Sequence, residues 1–116
     1  MSKRPINLLL NDNRQAIDRI EQYIENLSFD AFSKDQKSVD AVVRNLEIIG
    51  EAASRLPDEL KEKYSEIEWY KVVGLRHRIV HEYFGIDLEI IWQILQKDLP
   101  ELKQKIMQII SEEGVS

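Results

Sequence analysis

The stretch SKDQKSVDAVVRNLEIIGEAASRL, residues 33–56, decides the fold. Its apolar residues, Val39, Val42, Val43, Leu46, Ile49, Ala53 and Leu56, recur mostly three and four positions apart, with charged and polar residues between them. That period belongs to an amphipathic helix with one buried stripe. Ser33 and Gln36 have capping-box spacing, so the helix is predicted over about 34–55. Leu56-Pro57 stops it, because a residue ahead of proline disfavours helical backbone.

The same period continues on both sides. Ile6, Leu9, Leu10, Ile17, Ile20, Ile24 and Leu27 predict a first helix over 5–27, with Pro5 in its first turn. Ser28–Phe32 breaks that pattern. Residues 57–63, opening with a proline and two acids, predict one short extra turn. Ser65 and Glu68 form a second capping-box pair and open a helix over 66–82. Its apolar positions include Ile67, Tyr70, Val73, Ile79 and Val80; Gly74 inside it suggests close helix packing. Tyr83-Phe84-Gly85 ends it, with Gly85 as the cap. Asp87 caps a further helix over 88–98, Leu99-Pro100 kinks or ends that one, and residues 101–112 resume. No strand pattern, repeat or low-complexity tract is present. The expectation is an all-α protein, an antiparallel bundle of four to five helices, with residues 1–116 as one domain.

Composition narrows the function. Cysteine is absent, which excludes disulfide staples and thiolate metal sites and suits a reducing cytoplasm. No apolar run approaches the ~18 residues that span a bilayer, so no membrane partner is expected. No secretory signal follows the basic start. The net charge of −5 argues against a protein that coats nucleic acid, and DNA is not an expected partner. The charge is uneven, however. Residues 69–81 carry Lys71, Arg76 and Arg78 and no acid, a local +3 against −8 for the remainder. A basic patch on an acidic body suits a small, defined anionic target.

Both histidines lie in that patch, within Gly74-Leu75-Arg76-His77-Arg78-Ile79-Val80-His81-Glu82-Tyr83. At about 100° per residue, His77 and His81 share a face, whereas Arg76 and His81 stand about 140° apart. A regular helix therefore does not aim both at one phosphate unless its end unwinds or a second copy of the chain helps. The chemistry such residues serve is metal-free RNA cleavage. A histidine can take the proton of a ribose 2′-hydroxyl or give one to the leaving oxygen. An arginine can hold the phosphate as its charge develops. Tyr83 can bond the phosphate or stack on a base. Against this, a lone Arg and His on a helix are usually surface or structural residues, and Tyr83-Phe84 fit a partly buried core. His77 and His81 have metal-ligand spacing, but without cysteine or a His-Glu-x-x-His pattern no metal is expected. On the preceding long helix, Arg44, Asn45 and Glu51 are polar, and Glu47 or Glu51 could orient His81. Solvated charges or ion pairs between helices explain them equally well.

Arg76, four residues, His81, one residue and Tyr83 resemble the arginine–histidine–tyrosine signature of HepT-like toxins of the HEPN superfamily. Arg44–Ala52 resembles that family's second-helix segment, Trp69 falls where it has a tryptophan, and Asp98-Leu99-Pro100 resembles its late helix break. The likeness spans about residues 5–110. Where the family arginine is often followed by Asn, this chain has His77, which makes His77 a second candidate base; Arg78 is a supporting candidate. The resemblance implies a HEPN-like bundle and a homodimer whose two motifs meet at the interface. It implies a metal-independent endoribonuclease toxin of a type VII toxin–antitoxin pair, with Arg76 and His81 as catalytic residues, no cofactor, and tRNA or mRNA as substrate. It also implies a minimal nucleotidyltransferase antitoxin that adenylylates Tyr83. Two alternatives stand beside it: a non-catalytic, nucleotide-binding subunit of a nucleotidyltransferase complex, and a purely structural dimerisation module.

Overall fold

The computed structural model describes residues 4–82 and 88–114, with side chains for 4–75 and 88–114. The chain runs through α1 (Ile6–Ile24), α2 (Phe29–Lys34), α3 (Gln36–Ser54), α4 (Asp58–Lys63), α5 (Trp69–Glu82) and α6 (Leu88–Gln93). A π turn (Ile94–Asp98) then leads into α7 (Leu99–Glu112). No strand occurs among the described residues. The expected all-α bundle is therefore the fold observed.

The long helices pack in sequence order, α1 on α3 and α3 on α5, and α7 closes against α1. The start of α1 (Arg4, Leu9, Asp12) lies beside the end of α3 (Ile48–Arg55), so these two run antiparallel. Their stripes meet in one core. Leu10, Ile17 and Ile20 of α1, Val42, Leu46 and Ile49 of α3, and Ile106 and Ile109 of α7 are almost wholly buried. Burial of such side chains contributes about 1.5–3 kcal/mol each, which is what sets the helix orientations. Lys103 of α7 reaches Asp18 and Glu21 of α1 at 3.0 and 2.7 Å and ties the rim of that core.

Several boundaries differ from the sequence expectation. α1 ends at Ile24, because Asn26 takes a left-handed backbone at φ 65°. Residues 28–32 are not a plain break. Ser28 caps the short helix α2 by accepting the Ala31 amide at 3.1 Å, and Phe32 of that helix is buried. Ser33 therefore does not cap α3; it sits inside α2 and donates to the Asp30 carbonyl. Asp35 is the cap instead. The expected turn at 57–63 is present as α4. α5 begins at Trp69, three residues later than read, because the Glu68 carbonyl takes the Lys71 and Val72 amides.

Leu99-Pro100 does not end the last helix. Proline cannot donate to a carbonyl four residues back, and the preceding turn widens to a π turn that carries the helical path past it. Tyr70 and Ile90, expected on apolar stripes, are exposed. Gly74 is not a close-packing site, since a Cβ there would meet nothing within 4 Å. The expected ends at Tyr83-Phe84-Gly85 and Asp87 lie outside the described residues. No helix among the described residues is long and apolar enough to cross a membrane.

Candidate functional site

The motif helix is anchored at its N-terminal end. Trp69 is buried, and its indole N–H donates to the Tyr64 carbonyl at 3.1 Å. Tyr64 in turn donates its hydroxyl to Glu113 at 2.7 Å, and Lys63 pairs with the same carboxylate at 2.7 Å. These bonds hold Glu113 below its usual carboxylate range and push the Tyr64 phenol well up. The end of α7 thus fixes the 64–69 turn, and that turn fixes where α5 starts. Val72 is buried as well, and α3 packs along the helix.

Beyond the motif, Trp92 of α6 packs at a tilt against Phe29 and Phe32 of α2, with ring centres 6.1 and 5.1 Å away.

Arg76, His77, Arg78 and His81 all fall on α5, whose backbone stays α-helical through Glu82. Positions 77 and 81 are one turn apart. Positions 76 and 81 stand about 140° apart around the axis, because the helix does not unwind between them. Their side chains, and Tyr83 altogether, lie outside the described residues.

The three α3 candidates separate. Arg44 is exposed and makes no ion pair among the described residues. Glu51 is half-buried and bonds Arg55 at 2.9 Å. Both line a shallow depression of about 320 Å³ between α1 and α3, together with Glu47, Arg55, Arg4 and Asp12; no described residue of α5 lines it. Asn45 is buried. Its amide N–H donates to the Ala41 carbonyl at 2.9 Å, and its Oδ1 has no partner. Asn45 is therefore set within the packing of α3 and not on its open face.

A larger feature escaped the sequence reading. A groove of about 390 Å³ lies between the first turns of α5 and the π turn and start of α7. Its lining is split between distant segments, Glu66–Leu75 and Ile94–Lys105, so no local motif announces it.

The "Ribonuclease HepT-like" family matches residues 14–109. A protein of Caldanaerobacter subterraneus, named as a candidate RNase, is 42% identical over 90 residues, covering 78% of this chain and 80% of its own. "Probable ribonuclease HepT" of Thermococcus cleftensis is 36% identical over 107 residues, 92% of this chain and 97% of its own. A longer Methanocaldococcus jannaschii protein, named as a gamma-glutamylcyclotransferase and candidate RNase, is 37% identical over 110 residues; the chain covers 50% of its length. No solved structure matches significantly. The match runs through α1 to α7 and takes in all of α5, and the chain belongs to the HepT-like ribonuclease family, of HEPN type.

Proposed function

We propose that this protein is a metal-independent endoribonuclease, the toxin of a type VII toxin–antitoxin pair, and that Arg76 and His81 cut the RNA. The observation that carries the reading is the placement of both residues on α5 of a chain in a ribonuclease family. In the proposed reaction His81 takes the proton from a ribose 2′-hydroxyl. The freed oxygen attacks the adjacent phosphorus, and the bond to the 5′-oxygen breaks as the protonated histidine returns its proton to that leaving oxygen. Arg76 holds the phosphate oxygens as negative charge builds on them. His77 and Arg78, on the same helix, add a second base and a further cation.

The continuous helix supports a site shared between two copies. With positions 76 and 81 about 140° apart, one copy supplies Arg76 and its partner His81 across a two-fold axis. Tyr83, just past α5, is the proposed point of control. Adenylylation by a nucleotidyltransferase antitoxin would place an anionic nucleotide beside the phosphate site and exclude RNA by charge and bulk.

The test is cleavage of tRNA and mRNA by wild-type and His81→Ala protein with EDTA present, alongside the intact mass of each protein. The proposal predicts that unmodified wild type cuts and that His81→Ala loses activity by about 10²–10⁴-fold. Unmodified wild type that binds nucleotide without cutting RNA would replace it with the non-catalytic reading.

A further inference from the structure

The first turn of α5 leaves one aromatic ring standing in solvent. Tyr70 is 72% exposed, more than any other large apolar side chain among the described residues. Its neighbours on the helix define the face it occupies. Trp69, about 100° back around the axis, and Val72, about 200° on, are both buried, so Tyr70 marks the outer face of α5. Its hydroxyl donates to Glu68 at 2.9 Å, which fixes the ring without covering it. Glu68 is itself neutralised by Lys71 at 3.2 Å, so no unbalanced acid stands against the ring.

The same face leads to the motif. α5 is continuous from Trp69 to Glu82, so each residue turns it by about 100° and advances it by about 1.5 Å. Position 77 lies about two turns on from Tyr70 and position 81 about three. They stand about 20° to either side of it, about 10 and 16 Å along the axis. Gly74 falls between, and nothing lies within 4 Å of where its side chain would begin. One open strip of helix therefore carries an anchored ring at one end, a bare glycine in the middle and both histidine positions at the other. Residues 69–81 hold Lys71, Arg76 and Arg78 and no acid, a charge that suits a polyanion.

We infer that single-stranded RNA lies along this strip, with one base stacked on Tyr70 and its backbone passing His77 and His81. The inference rests on the ribonuclease reading of α5 and adds to it a residue that holds the substrate. Stacking suits the position, because every base has a flat face and the ring grips a strand without reading its sequence. The bond to Glu68 sets the ring in place before RNA arrives, which lowers the ordering cost of the contact. At about 16 Å from position 81 the ring is too distant for the nucleotide being cut, and it takes a base further along the same strand. Loss of the ring therefore weakens capture of the substrate and leaves the chemical step alone.

The test is the affinity of the full chain for a fluorescent single-stranded oligoribonucleotide made uncleavable by 2′-fluoro groups. Anisotropy reads it for wild type, Tyr70→Ala, Tyr70→Phe and Tyr70→Trp. Tyr70→Ala should weaken binding by about tenfold or more, whereas the Phe and Trp variants, which keep a ring, should hold it. Among oligomers that each lack one base, one should lose the same factor with wild type and nothing further with Tyr70→Ala. On cleavable RNA, Tyr70→Ala should raise KM by that factor at unchanged kcat. Equal binding by wild type and Tyr70→Ala, or an equal loss in all three variants, would overturn the inference. So would a change of oligomeric state in Tyr70→Ala, which would show that a second copy covers the ring. Wild type that binds the oligomer through Tyr70 but cuts no RNA would keep this inference and remove the cleavage reading. Cleavage by Tyr70→Ala at the wild-type KM would do the reverse.

Discussion

The Asp35 carboxylate accepts the Ser38 hydroxyl at 2.7 Å and the Ser38 amide at 3.4 Å, and so closes the open N-terminus of α3. α3 is the helix on which both α1 and α5 pack. Removing this cap should therefore loosen the whole bundle. Asp35→Ala is expected to cost about 1 kcal/mol, whereas Ser33→Ala, inside α2, should cost much less. Urea melts of the two variants check this; equal losses would show that the cap is elsewhere.

Gly74 gives the opposite sign. It lies inside α5 with free space around its Cα, so Gly74→Ala adds a methyl group without a clash and removes backbone freedom from the unfolded chain. The expected gain is up to ~1 kcal/mol, read as a higher midpoint in the same melts. A loss would mean that a second chain packs tightly on this glycine.

Asn13 and Asn45 are the two buried polar residues among the described side chains, each with an unpartnered Oδ1. Asn13 bonds only the Leu9 carbonyl, at a long 3.4 Å. An unmatched acceptor in an apolar core carries a desolvation cost that leucine, similarly branched though larger, would not. Asn13→Leu is expected to be neutral or stabilising, whereas Asn13→Ala should lose about 1–3 kcal/mol through the cavity it leaves. Equal losses in both variants would show that a donor meets that oxygen.

Stability should fall on the acid side. Asp35 is held low by the Ser38 hydroxyl and amide, Glu113 by Lys63 and Tyr64, and Glu68 by Tyr70 and Lys71. In each case the folded protein sheds the proton more readily than the unfolded chain. Their contribution is therefore complete above the ordinary carboxyl values, 3.8 for Asp and 4.5 for Glu, and is lost as pH drops through the lower folded ones. Thermal melts should be level near neutrality and decline below about pH 4.5, less steeply in Glu113→Gln. A flat acid limb would contradict these pairings.

The helical period of Val39–Leu56 and Ile6–Ile20 was enough to read the fold, because a buried stripe repeats locally along the chain. Helix ends were less legible. Ser33 and Asp35 both have capping chemistry, and the choice between them depends on Phe32 being drawn into the core. Tyr70 looked like a stripe residue, but its hydroxyl finds Glu68 at the surface. The motif on α5 stood out by its residue types. The groove did not, since Ile67 and Leu102 meet only after the chain has folded back on itself.

The most direct measurement compares RNA cleavage by Arg76→Ala, by His81→Ala, and by the two co-expressed and purified together. Each variant alone should be inactive. The mixture should recover about a quarter of wild-type activity, since about half its dimers are mixed and each mixed dimer holds one intact pair of its two. Near-normal cleavage by either variant alone would contradict the assignment of Arg76 and His81. A mixture as inactive as its components would contradict the shared site.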